Sequence, residues 1–173
     1  MKRHVVLIGL PGSGKTTVGA LVAAKLNAGL VDIDAVLVRR EGKPVTMIFA
    51  EKGEAAFRDL ERQEMETALT NDPAIIATGG GWAAQPGAVE GAKSRAFVVY
   101  LRTRADTAAR RAGDEGTRPL LMGGEGPAER MRHLLKERDA AYALAHEKID
   151  TDRKTVAQVA ADVVRLAQTM AGW

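Results

Sequence analysis

Three groups of residues have types and spacings that could do chemistry. The first is Gly9-Leu10-Pro11-Gly12-Ser13-Gly14-Lys15-Thr16, which fits the pattern G-x-x-x-x-G-K-[ST]. Glycines in such a loop let successive backbone N–H groups curl around a polyphosphate, whose charge also meets the positive end of a helix dipole. Lys15 would then reach the β- and γ-phosphates, and the Thr16 hydroxyl would ligate Mg²⁺. The second group is Asp32 and Asp34. A magnesium nucleotide needs a carboxylate for the metal or its water shell. Transfer to an alcohol also needs a group that orients, and can deprotonate, the hydroxyl. Two nearby carboxylates can divide those tasks; the alternative is that Asp34 only caps a helix.

The third group is cationic. Arg138 falls on the same stripe as Met131, Leu135, Tyr142 and Ala145. An arginine at an apolar position must snorkel, pair with a carboxylate or face an anion in a pocket, and its donor fork suits a bidentate carboxylate. Arg58 lies one residue off a stripe led by Phe57, and by spacing alone its role is a surface pair with Glu54 or Glu61. Arg118 lies in a glycine-rich span, where it could swing over phosphates or simply be solvated. Gly79-Gly80-Gly81 would let a small substrate lie directly on the backbone. His4, His133 and His146 show no metal-ligand spacing and read as surface or packing residues.

The elements that must position these groups alternate along the chain. Val5–Ile8 is a buried strand running into the glycine loop, and Val18, Leu21, Val22 and Leu26 give the following segment a helical spacing. Residues 30–34 read as a second strand, whose alternation would put Asp32 and Asp34 on one side. Residues 35–52 form one or two short helices broken near Gly42-Lys43-Pro44, and a longer helix follows Gly53 until Asp72-Pro73. Strands follow at 74–78 and 96–101, then a helix opened by a cap at Thr103 and running to about Ala112. Residues 113–126 carry five glycines and read as a mobile cover. A helix from Pro127 to about His146, a strand at 147–151 and a last helix behind the capping box Thr155-Val156-Ala157-Gln158 complete the chain. Five strands alternating with helices imply a doubly wound parallel sheet with helices on both faces. The phosphate loop, the Asp pair and the triple glycine each end a strand, so neighbouring strands would bring them to one rim at the switch point.

Composition narrows the class. The 173 residues suit one domain, and their 46% hydrophobic share is ordinary for a globular protein. No apolar run approaches a membrane span, no export signal is evident, and there is no cysteine for a disulfide framework or thiolate metal site. The expected location is therefore the cytoplasm. A net charge of +3 could suggest nucleic acid, but two Trp, two Tyr and three Phe without a basic run do not make a stacking platform. Neither a nucleic-acid nor a membrane partner is expected.

Taken together, the whole chain resembles shikimate kinase, in the nucleoside-monophosphate-kinase-like group of phosphate-loop proteins. The resemblance is carried by the 9–17 loop, Asp32-Ile33-Asp34, the segment from Ile48 to Arg58 with its Gly53-Glu54-x-x-Phe57-Arg58, Gly79-Gly80-Gly81, Arg118-Pro119-Leu120-Leu121, and Glu137-Arg138 with Tyr142. It implies one kinase domain over 1–173, with substrate-binding helices at about 34–62 and a lid at about 112–126. It also implies Mg²⁺ as cofactor, ATP as phosphoryl donor, and the 3-hydroxyl of shikimate as acceptor. By position, Gly12, Ser13, Gly14, Lys15, Thr16 and Thr17 would bind nucleotide, with Arg118 on the phosphates and Arg111 and Arg153 near the adenine. Thr16 and Asp32 would serve the metal. Asp34 would bind substrate hydroxyls and is a candidate base; Lys15, Asp34 and Arg118 form the catalytic set. Arg58 and Arg138 would clamp the shikimate carboxylate, with Gly80 and Gly81 touching the substrate. A monomer is expected. Ile33 and Trp82 depart from the family pattern, and Trp82 stands where it could crowd or reshape the pocket. Related readings are a gluconate kinase, or a nucleotide-binding regulatory module without transfer activity.

Overall fold

The computed structural model describes residues 1–114 and 126–173. The glycine-rich cover, with Arg118, falls largely outside these residues. In chain order the elements are β1 (His4–Ile8), α1 (Lys15–Leu26), β2 (Leu30–Asp32), α2 (Ile33–Glu41), α3 (Val45–Lys52), α4 (Glu54–Thr70) and β3 (Ile75–Ala77). A 3₁₀ turn (Trp82–Ala84) and α5 (Ala88–Ala92) lead to β4 (Ala96–Arg102), α6 (Ala105–Asp114), α7 (Pro127–Tyr142), β5 (Glu147–Asp150) and α8 (Val156–Met170). All strand pairs are parallel, in the order β2-β3-β1-β4-β5.

Why the central strands are continuous apolar runs follows from the layers. Val6, Ile8, Ile76, Val98 and Tyr100 pack on one face, among residues of α2, α4, α6 and α7. Val5, Leu7, Ile75, Phe97, Val99 and Leu101 pack on the other, among residues of α1 and α8. A strand covered on both faces has no side left for polar residues. Glu147, Lys148 and Asp150 of edge strand β5 are exposed, and charges there discourage pairing with another sheet edge. Chain order makes β1 the centre: β2 is reached first, β3 then fills the gap beside β1, and β4 continues on the far side. The loop after β1 therefore sits at the switch point, flanked by the loops after β3 and β4.

Several boundaries differ from the sequence reading. The second strand stops at Asp32, and Ile33 already begins α2. Alternation along a strand therefore does not place the two aspartates: Asp32 caps α2, its carboxylate accepting from the Ala35 N–H, and Asp34 lies in the first turn. The expected cap at Thr103 is not made, because its hydroxyl pairs with the Thr151 hydroxyl at 2.7 Å. The α7 helix ends at Tyr142 rather than His146, whose N–H bonds the Val98 carbonyl instead. The capping box of α8 is formed in full between Thr155 and Gln158.

Two histidines act as backbone acceptors. His4 Nδ1 accepts from the Ala74 N–H at 3.2 Å, and His146 Nδ1 from the Val98 N–H at 2.9 Å. Burial holds both imidazoles below the ordinary value of 6.5. Unfolded, each binds a proton more readily than folded, so their contribution is fully present above pH 6.5 and lost as pH falls through the folded pKa. The melting temperature should accordingly drop between about pH 7 and about pH 5, and less steeply in the double variant His4→Gln, His146→Gln. Parallel slopes in the two proteins would contradict this assignment.

Candidate functional site

The site is assembled on the rim where β1, β2 and β3 end. Gly9, Gly12 and Gly14 have φ of 153°, 78° and 91°, conformations that cost a side chain dearly. Space excludes one as well: a β-carbon on Gly12 would stand 2.4 Å from the Ala108 carbonyl oxygen, so α6 packs directly on the loop. Gly14 caps α1, and the loop ends on that helix's N-terminus, which favours an anion. Lys15 is folded back, its ammonium donating to the carbonyls of Gly9 and Leu10, each at 2.8 Å. Pro11, Gly12, Gly14, Lys15, Thr16, Thr17, Asp34, Thr78 and Gly80 line a cleft of about 270 Å³.

Asp32 bridges the loop to α2. One carboxylate oxygen accepts from the Thr16 hydroxyl at 2.7 Å, the other from the Ala35 N–H at 3.1 Å. Two hard oxygen donors beside a phosphate cleft fit Mg²⁺, which keeps several waters and takes few protein ligands. Among the described residues there is no group of three or more His, Cys, Asp or Glu that could hold a metal ion.

A second, narrower pocket adjoins the cleft, and Pro11, Asp34 and Gly80 belong to both. Its far wall is cationic and buried: Arg58 is 8% exposed and Arg138 5%. Arg58 donates to Glu61 at 2.9 Å and lies 3.8 Å from Glu54. Both pairs expected for Arg58 thus form, the one with Glu61 inside the protein and the one with Glu54 at its surface. The Nε of Arg58 and Nη1 of Arg138 are buried without a hydrogen-bond partner. Buried guanidinium donors left open are costly, and a carboxylate in the pocket would satisfy them. The triple glycine makes the approach possible. A β-carbon on Gly81 would stand 2.4 Å from Arg58 Nη2, and one on Gly80 2.8 Å from Pro11 Cδ and 3.2 Å from Arg138 Nη1.

Two predicted residues stand outside this cluster. Arg111 is half-buried on α6, the helix under the phosphate loop, while Arg153 is exposed in a separate shallow groove with Arg104 and Asp152. Neither lines the cleft or the adjoining pocket. Arg118 lies outside the described residues.

Comparison with known proteins agrees with this geometry. A family model described as shikimate kinase matches residues 11–168. The chain belongs to the shikimate kinase family. Curated relatives of that name include one from Moorella thermoacetica, 42% identical over 94% of this chain and 93% of its own length. Another, from Thermobifida fusca, is 43% identical over 90% of this chain and 89% of its own. Among solved structures, shikimate kinase from Acinetobacter baumannii in complex with shikimate superposes with a TM-score of 0.91 at 32% identity, covering 98% of this chain and 94% of that one. A gluconokinase from Sinorhizobium meliloti, at TM-score 0.65 and 17% identity, shares the fold alone. Family membership makes the chain an ATP-dependent kinase.

The two departures from the shikimate kinase pattern prove to be core residues. Ile33 is fully buried in the cluster beneath α2, and Trp82 is 3% exposed in the same cluster. Trp82 lines neither the cleft nor the adjoining pocket but a groove between α4 and α5. The expected crowding of the pocket does not occur, because the turn after Gly81 carries the indole away from it.

Sequence reasoning missed Glu61, which is 1% exposed. The signal was there: Glu61 is four residues from both Phe57 and Met65, on the buried stripe itself. Burial pushes its carboxyl above the ordinary 4.5, against the pull of Arg58, and the Asp34 charge pushes it further. Displacing Arg58 would strand Glu61 as an uncompensated buried charge. Gly81→Ala forces that displacement. It should weaken shikimate binding by about tenfold or more while leaving the ATP dissociation constant within about twofold, as read by titration calorimetry. Equal losses for both ligands would contradict the placement.

Proposed function

We propose that this chain transfers the γ-phosphoryl group of ATP to the 3-hydroxyl of shikimate, giving shikimate 3-phosphate and ADP. The observation that carries the residue assignments is the pair of buried arginines with open donors, placed across Gly80 from the phosphate loop. A small acceptor that carries both a carboxylate and a hydroxyl can satisfy the arginines at one end and reach the phosphates at the other. Nucleoside acceptors offer no carboxylate for this wall.

In this reading, Gly12, Ser13, Gly14, Lys15, Thr16 and Thr17 hold the triphosphate, and Lys15 exchanges the Gly9 and Leu10 carbonyls for phosphate oxygens. Thr16 and Asp32 hold Mg²⁺, which when bound neutralises charge on the phosphates. Asp34, lining both the cleft and the pocket, orients the acceptor hydroxyl. As that oxygen bonds phosphorus and the bond to the departing ADP oxygen breaks, the hydroxyl proton passes to Asp34. Arg58, Arg138 and the backbone of Gly80 and Gly81 fix the rest of the acceptor, so most of the catalysis is positioning and charge neutralisation. We further assign Arg118 to the transferring phosphoryl, and Arg111 and Arg153 to the adenine side. Residues of about 34–62 form the acceptor-binding unit and about 112–126 the lid of a single kinase domain. The same reading has a monomer working in the cytoplasm. Among the described residues, no helix is long and apolar enough to cross a membrane.

Coupled measurement of ADP release, with shikimate and gluconate offered in parallel, tests the proposal. Saturable turnover is expected on shikimate. Asp34→Asn should lower kcat by about 10²- to 10⁴-fold, the usual range for a lost general base. Arg138→Ala should instead raise the shikimate KM, by about 100-fold for the loss of one or two charge-assisted hydrogen bonds. Turnover on gluconate alone would move the substrate, and ATP binding with no turnover on either would reject transfer activity.

A further inference from the structure

The backbone at 79–81 has no side chains of its own to anchor it, so hydrogen bonds must hold it. Among the described residues, its carbonyls accept from Trp82 N and Ala84 N, each at 3.3 Å, and from the Gln85 side chain at 3.5 Å, all from the next few residues of the chain. One bond arrives from elsewhere and is the shortest: the Tyr142 hydroxyl donates to the Gly80 carbonyl at 2.8 Å. Tyr142 is fully buried and stacks on Tyr100 with ring centroids 4.8 Å apart. That stack fixes the plane and reach of its phenol. Arg138 precedes Tyr142 by one helical turn on the same face of α7, and its Nη1 borders the space a Gly80 β-carbon would fill.

From this we infer that Tyr142 is a positioning residue for the acceptor site: its bond to Gly80 sets the glycine backbone at a fixed distance from Arg138 and Pro11. The inference rests on reading the pocket as the shikimate site. Phosphate loop, triple glycine and clamp helix meet at Gly80, and among the described residues the Tyr142 phenol is the group that ties the glycine to the helix by a hydrogen bond. Burial pushes the phenol above its ordinary value of 10.0, so it remains a donor throughout the range in which such an enzyme would be assayed. Tyr100 provides a built-in control. It shares the stack, but its hydroxyl is buried without a partner.

The test compares Tyr142→Phe with Tyr100→Phe in the full chain. Each removes one oxygen and keeps the stacked ring. Tyr142→Phe should raise the shikimate KM by about tenfold, the upper range for one neutral hydrogen bond, and leave the ATP KM within about twofold. Tyr100→Phe should leave both constants unchanged. A purely structural role for Tyr142 would instead lower the melting temperature and leave the shikimate KM at the parent value, and that result overturns the proposal. Should Tyr142→Phe fail to fold, ¹⁹F NMR on the 3-fluorotyrosine-labelled parent decides, since the chain has two tyrosines. Saturating shikimate should shift the Tyr142 resonance more than that of Tyr100, and an unmoved Tyr142 resonance overturns the inference. A parent chain that does not phosphorylate shikimate would fault the reading of the pocket, and is separated from failure of the Tyr142 inference by that control.

Discussion

Everything at the acceptor end depends on a steric constraint: three consecutive residues without β-carbons. The volume those carbons would occupy at Gly79, Gly80 and Gly81 is taken by Glu61, by Pro11 and Arg138, and by the Arg58 guanidinium. A polyglycine backbone is entropically expensive to order. Here it is held by the strand before it, by the 3₁₀ turn after it and by Tyr142 of α7. In return, side chains from α4 and α7 approach the main chain closely, next to the phosphate loop.

The electrostatics follow from that packing. Two arginines are removed from water, and among the described residues the buried Glu61 is the carboxylate that pairs directly with Arg58. A buried charge with open donors destabilises the empty protein, and binding an anion relieves the cost. The cationic wall also stands apart from the phosphate cleft, with Asp34 and Gly80 between them. In the proposed reading, one site attracts polyphosphate by backbone amides and Lys15, the other a carboxylate by guanidinium forks. The preorganisation lies in the fold rather than in the ligand.

How much of this was legible in the sequence depends on whether a feature is local. The phosphate loop was legible because its glycines and Lys15 sit at fixed offsets between a strand and a helix. Arg138 could be read from its place on the α7 stripe. For Asp34 the location was right and the cause was not, since a helix beginning at Ile33 presents it, rather than strand alternation. Spacing alone made Arg58 a surface residue, because its burial is decided by Gly81, 23 positions along the chain. Glu61 was legible by periodicity and passed over because a charge was assumed to face water. The Tyr142 bond to Gly80 joins residues 62 apart, and no pattern in the chain announces it. Trp82 illustrates the converse: adjacency to the site in sequence placed it near the pocket, whereas the turn puts its ring in the core.

The central claim is that the acceptor is held by its negative charge on two buried guanidinium groups. The most direct measurement is kcat/KM for shikimate against its primary carboxamide, which keeps the ring and hydroxyls and removes the charge. Loss of charge-assisted hydrogen bonds predicts a fall of about 10²-fold or more for the carboxamide, expressed mainly in KM. Equal kcat/KM for the two compounds would contradict the account, since the buried arginines would then have no part in holding the acceptor.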